Sequence, residues 1–270
     1  MNFSKRYGFE MEKSIQVYDI DLELRTSLQN IIYLYFFKDN LYRPIDFFEP
    51  MWLMILKKDI SVIDDFRGND YKFELFKEEF SILEWFKVYN LIELILETYK
   101  SSRKDLLIED FNSVLKMENS AYRIVNEIVV PITDEIEIKE IEQVFQIEDK
   151  FKPVKDQIRN ALKLLSDKEN PDYKNSFKES ISAVESLCKI ILGEDNITLG
   201  QALRKIENDN NFEINGALKS AFSSIYGFAS NEVRHGRIQE DEIDYDLAKF
   251  LLVACCAFIN YLISINKEWI

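Results

Sequence analysis

Apolar residues recur along most of this chain at steps of three and four, the period of a helix that buries one face. Leu22, Arg25, Leu28, Gln29, Ile32 and Tyr35 share that spacing and predict a first helix, with Asp21 as its N-cap and an aromatic and aliphatic stripe running on to Phe37. Before it, Met1 to Val17 has no such period and reads as an irregular arm. Pro44 and Pro50 divide the aromatic-rich stretch Leu41 to Leu56 into a turn and a short helix. From Tyr71 to Tyr99 the series Phe73, Phe76, Phe80, Leu83, Phe86, Val88, Leu91, Leu94 and Ile95 predicts a long helix broken once near Ser81, and a shorter one follows from Asp105 to Asn119.

The period then changes from helical to β-like. Tyr122 to Pro131 places β-branched runs on either side of Asn126-Glu127 and predicts a hairpin, although its turn lacks the favoured glycine. Thr133, Asp134, Glu135 and Glu137 gather acid at a helix start, where the macrodipole favours it, and that helix runs to about Gln146. After a linker at 148–153, helices are expected over Pro153 to Ser166, Asp172 to Leu192, Leu199 to Asn208, Gly216 to Phe228 and Asp244 to Asn266. Gly193 is a natural stop, and Asn196 or Thr198 a natural N-cap.

Composition narrows the class. Seven Gly and five Pro are few for 270 residues, and a 47% apolar content fills a core. The expected fold is all-α with a small β-hairpin near 122–131. It divides into a helical domain over 1–120, the hairpin and a linker helix over 121–150, and a helical bundle over 151–270. The formal charge is −14, and residues 1–150 hold 19 Lys+Arg against 30 Asp+Glu, a net −11 that leaves −3 for the rest. A protein that grips a long duplex through its phosphates needs a basic face, so the charge argues against extended duplex binding, while a small cleft acting on one phosphate is allowed. Cys188, Cys255 and Cys256 lie in apolar helical stretches without zinc spacing and read as reduced core residues of a cytoplasmic protein. The N-terminus is too polar for a signal peptide. The longest apolar run, Phe250 to Ile265, is interrupted by Asn260 and suits a buried helix rather than a membrane span. No phosphate-cradling glycine loop and no ligand-spaced Cys/His cluster is present, so neither a cofactor nor a metal site is expected.

Chemistry concentrates at one place. Tyr226 to Arg237 contains the only histidine, His235, beside Arg234 and Arg237, with Ser230 and Asn231 as further hydrogen-bonding groups. Such a set can hold a phosphodiester: Arg neutralises the non-bridging oxygens, and His exchanges the proton of a 2′-hydroxyl or of a leaving 5′-oxygen without a metal. The same residue types also suit a solvated or capping loop. Lys152, Lys155, Arg159 and Lys163 fall on one face of the helix after Pro153, where they either track RNA or face solvent. Glu179 and Glu185 stand on the helix from Asp172, where such residues read as a solvated or ion-paired helix face.

Several blocks in order carry a resemblance. Val129 to Glu135, Asn170 to Cys188, Thr198 to Leu203, Tyr226-Gly227 with Arg234-His235, and Cys256 to Leu262 resemble the fourth type of AbiJ N-terminal domain, a family of bacterial abortive-infection proteins placed with or near the HEPN helical domains. Phe3 to Gly8 and Leu24 to Asn30 also look like the start of that family. The resemblance implies an anti-phage protein with a HEPN-like bundle at its C-terminal end. By the same resemblance it cleaves RNA, single-stranded or transfer RNA, without a metal, as a homodimer and away from membranes. His235 is then the general acid/base, Arg234 and Asn231 its partners, and Arg237, Lys155 and Arg159 the RNA contacts. HEPN ribonucleases usually set four to six residues between Arg and His, whereas here Arg234 directly precedes His235 and positions 228–230 are Phe228, Ala229 and Ser230. The alternative is a sensor or scaffold without catalysis that binds a phage or host protein.

Overall fold

The computed structural model describes residues 7, 13–38, 45–63, 68–167, 170–208, 215–228 and 243–265. It divides into two compact units, Met1–Thr133 and Asp134–Ile270. Among the described residues the fold is all-α with one two-stranded antiparallel hairpin.

In the first unit, α1 (Leu22–Ile32) starts where Asp21 accepts a hydrogen bond from the Leu24 amide at 2.8 Å, the N-cap the sequence foretells. The helix then widens into a π-turn, Tyr33–Phe37, closed by the Lys38 amide on the Tyr33 carbonyl at 2.9 Å. That wider turn brings three consecutive aromatics, Tyr35, Phe36 and Phe37, into the core. The pattern repeats after α2 (Ile45–Pro50): a second π-turn, Met51–Ile55, buries Met51 and Trp52 and leaves Leu53 and Met54 in water. Pro50 therefore does not end the helical segment, as the sequence suggests it should.

The expected long helix is broken once, as the sequence suggests, into α3 (Gly68–Ile82) and α4 (Trp85–Thr98), separated at Leu83 and Glu84, two to three residues after Ser81. Glu84 is extended, with ψ of 143°, which turns Leu83 inward and leaves Ile82 outside. Phe37, Phe47, Phe73 and Phe80 surround Phe76, with ring centroids 5.1 to 6.4 Å away. This aromatic cluster is the core of the unit.

After α5 (Lys104–Met117) come β1 (Arg123–Val125) and β2 (Ile128–Val130), paired with Ile124 opposite Val129. Asn126 and Glu127 take φ of +48° and +67°, the two left-handed residues of a tight hairpin turn, and Glu127 pairs with Lys104 at 3.0 Å. Side chains satisfy both outer edges of this minimal sheet. Asn112 on α5 donates to the Ile124 carbonyl and accepts from its amide, both at 2.8 Å, while Glu93 on α4 accepts from the Val129 amide at 2.8 Å.

The second unit opens with α6 (Glu135–Gln146), capped by Asp134, and a 3-10 turn, Asp149–Phe151. α7 (Lys152–Ser166) and α8 (Tyr173–Leu192) run back along each other, tied where the buried Ser176 hydroxyl donates to the Ala161 carbonyl at 2.8 Å. Gly193, at φ +65°, ends α8 as foreseen. Thr198 and Gln201 form a reciprocal capping box at the start of α9 (Leu199–Asn208). α10 (Gly216–Phe228) and α11 (Tyr245–Ser264) complete the unit. By length and composition α11 can cross a bilayer, but 44% of its most apolar window is buried against the unit. Asn260 donates to the backbone and the carboxylate of Glu140 on α6, each at 2.9 Å, and Lys249 donates to Glu137 at 3.1 Å. These polar ties on one side, with Leu252, Cys255, Cys256 and Ile259 fully buried, are those of a helix packed within its own unit.

Candidate functional site

Asn231, Arg234, His235 and Arg237 lie outside the described residues, in the segment between α10 and α11. Its two anchors are well placed. Phe228, at the end of α10, packs its ring 5.8 Å from Phe177, and Tyr245, at the start of α11, lies 6.2 Å from Tyr173. Phe177 and Tyr173 are one turn apart on α8, so both ends of the histidine-bearing segment meet the same face of the same helix. Asp244 accepts from the Leu247 amide at 2.9 Å and fixes where α11 begins. Burial, then Glu137, Asp246 and Tyr173, push the Tyr245 phenol well above its ordinary pKa, so it stays a neutral hydrogen-bonding group at physiological pH.

The remaining RNA-contact candidates occupy successive turns of α7, and each has a carboxylate beside it. Lys155 lies 3.7 Å from Asp149, and Arg159 donates to Asp156 at 3.0 Å while its guanidinium stacks 5.6 Å from the Phe145 ring. Glu185 pairs with Lys189 one turn on, at 2.8 Å. Two of the stripe's four cations are thus paired with carboxylates of the same chain.

A second polar centre lies in the first unit, and the sequence reading had no signal for it. Residues 13–21 run as a strap beside the end of α5. The Gln16 amide donates to the Asn119 carbonyl at 2.9 Å, the Ala121 amide donates back to Gln16 at 3.0 Å, and Tyr122 donates to the Val17 carbonyl at 2.8 Å. Three carboxylates, Asp21, Glu23 and Glu118, converge with the mutual spacing of a cation site. The Lys13 ammonium fills that place: it pairs with Asp21 at 2.9 Å and contacts both Glu23 and Glu118. Burial alone would lower the Lys13 pKa, but hydrogen bonds to the three carboxylates override it and raise the value above the ordinary range. Burial likewise opposes ionisation of Asp21, yet the Leu24 amide and Lys13 hold its pKa below normal. The cluster is a fastener built from an internal cation.

Comparison with known families bears on this unit first. The model of the family described as AbiJ N-terminal domain 4 matches residues 1–147, more than half of the 270-residue chain. The chain belongs to that family. Membership ties it to abortive-infection defence. Neither the curated proteins nor the solved structures gave a match.

The AbiJ match takes in the strap, the aromatic core, the hairpin and α6, and with them the blocks Phe3 to Gly8, Leu24 to Asn30 and Val129 to Glu135. α7 to α11 and the His235 segment lie beyond it. Within the AbiJ domain, the residues that close the structure on itself are Lys13, Gln16, Glu93 and Asn112. Each has at least one partner 12 to over 100 positions away, at a distance in sequence that no local motif reports.

Proposed function

We propose that this AbiJ-family protein is an anti-phage defence effector with divided labour. The AbiJ domain receives the trigger, a phage or host protein, and the C-terminal unit acts on RNA as a HEPN-like, metal-independent endoribonuclease of the cytoplasm. His235 serves as general acid/base, Arg234 and Asn231 hold the scissile phosphate, and Arg237, Lys155 and Arg159 steer the strand. Two copies complete the cleft, and no membrane takes part. The observation that carries the reading is that the chain's one imidazole, flanked by two guanidiniums, sits in a segment whose ends meet one face of α8, beyond the reach of the family match. Expression of the wild type and of His235→Ala in cells tests it: toxicity and RNA breakdown are expected from the wild type alone, and equal toxicity from both removes His235 from the chemistry.

The pairing of Lys155 and Arg159 with carboxylates, within a chain of charge −14, favours a second reading. In it the protein is a non-catalytic sensor or scaffold that passes its signal to an effector elsewhere. A stable protein complex, indifferent to His235→Ala and without nuclease activity at high concentration, distinguishes it.

A further inference from the structure

The first unit exposes large apolar side chains where α1, α3 and α4 meet. Tyr18 and Leu22, at the entry to α1, are 76% and 77% exposed, and Ile82, pushed out by the break after α3, is 76% exposed. Tyr18 packs edge-on to Trp85 at 6.1 Å, and Trp85 lies 5.8 Å from the partly exposed Phe86. Arg25, one turn after Leu22, ties α1 to the end of α3: its guanidinium donates to the Phe80 carbonyl at 2.6 Å and lies over the Phe80 ring. The Tyr18–Trp85–Phe86 ring contacts and the Arg25–Phe80 tie bring the exposed Leu22 end of α1 and the exposed Ile82 end of α3 to the same part of the unit. Exposed singly, such residues mean little; gathered on one face, they mark an interaction site.

The rim identifies the occupant. Asp19, Glu23, Glu78 and Glu84 are all exposed, with Glu78 one turn before Ile82 on the same helix face. Against them stand Lys87, paired with Glu84 at 2.7 Å, Lys13, shared among Glu23, Asp21 and Glu118, and Arg25, which is engaged with Phe80, so carboxylates still outnumber cations on this rim. An acidic rim repels RNA phosphates and anionic headgroups and favours apolar side chains flanked by cations. We propose that this face of the AbiJ domain docks an amphipathic helix of a partner protein, with an apolar stripe seated on Leu22, Ile82 and Phe86 and Lys or Arg along its flanks. The trigger role rests on the divided labour proposed above; the docking itself does not.

The full chain is titrated with a labelled synthetic amphipathic helix bearing Leu and Phe on one face and Lys on its flanks, with its Glu-for-Lys counterpart, and with phosphatidylcholine/phosphatidylserine vesicles. Fluorescence anisotropy follows the peptides and co-sedimentation follows the vesicles. The Lys peptide is expected to bind and the Glu peptide not, with Leu22→Ser and Ile82→Ser each weakening binding about tenfold. Leu53→Ser with Met54→Ser, at a separate exposed apolar site, should leave binding unchanged. Leu22 and Ile82 already face water, so their variants should keep the wild-type thermal midpoint. Asp19→Lys with Glu84→Lys, which spares every apolar residue, should weaken binding as well. No binding of the Lys peptide, equal binding of both peptides, binding indifferent to Leu22→Ser and Ile82→Ser, or vesicle binding that those variants abolish would each overturn the proposal. RNA cleavage by the same variants is measured in parallel and should be unchanged; its absence from the wild type would remove the ribonuclease reading and leave the docking result standing.

Discussion

The two units are both helical, yet they hold together by different means. The first packs rings: Phe37, Phe47, Phe73 and Phe80 crowd Phe76, and two π-turns supply the extra aromatics that a regular helix would have pointed at water. Its loose ends are then tied down by single polar side chains, Lys13 on the strap and Asn112 and Glu93 on the hairpin. The second unit packs aliphatic ridges, with Leu162, Ala183, Leu187 and Ile259 fully buried and the buried Ser176 and Ser180 hydroxyls turned onto backbone carbonyls. Irregular turns and long-range ties therefore shape the AbiJ domain, whereas regular helix faces shape the C-terminal unit.

That contrast can be broken in order of effect. The largest expected loss follows Phe76→Ala, about 3–5 kcal/mol in urea unfolding, because a fully buried ring leaves a cavity that its aromatic neighbours fill poorly. Leu162→Met at the heart of α7 should cost less than about 1.5 kcal/mol, since an aliphatic ridge tolerates a volume-conserving exchange. Equal losses from both would erase the distinction between the cores.

Next comes the strap. Lys13→Ala leaves Asp21, Glu23 and Glu118 facing one another and should cost about 1–2 kcal/mol at neutral pH, an estimate reduced for their partial exposure. In the wild type the raised Lys13 pKa gives stability that is complete below the ordinary value of 10.5 and lost as pH rises through the folded value. The lowered Asp21 pKa gives stability present above 3.8 and lost as pH falls through its folded value. In the variant the carboxylates repel, so its deficit should shrink as acid protonates them. A deficit independent of pH would show the strap to be held by something other than this charge cluster.

Asn112→Ala removes both side-chain bonds to Ile124 and should cost about 1–2 kcal/mol, with hydrogen exchange at the hairpin rising first. The smallest effect is a gain. Glu127→Gly places glycine where φ is +67°, and should add about 0.5 kcal/mol after the loss of the exposed pair with Lys104. Destabilisation there would mean that the ion pair outweighs the strain of the turn.

The sequence made regular structure legible and irregular structure not. The boundaries of α9 and α10, the caps at Asp21 and Thr198, the acidic helix start at Asp134 and Glu135, the stop at Gly193 and the hairpin turn at Asn126-Glu127 all follow from local rules, and the structure has them. The π-turns escaped because they arise where aromatic burial overrides the helical period, and Pro50 concealed one of them. Lys13 escaped because a lysine in an arm reads as solvent-exposed until Glu118, more than 100 positions on, is brought beside it. Of the candidate site, the sequence marked the chemistry of His235 and Arg234 but not the anchors Tyr173, Phe177, Phe228 and Tyr245, which look like ordinary packing residues at the ends of three helices.

The most direct test of the central claim is incubation of purified protein, wild type and His235→Ala, with total and transfer RNA in EDTA, followed by analysis of the product ends. The account expects fragments with 2′,3′-cyclic phosphate from the wild type and none from the variant. Cleavage by both, or cleavage by the wild type only when a divalent metal is restored, would contradict it.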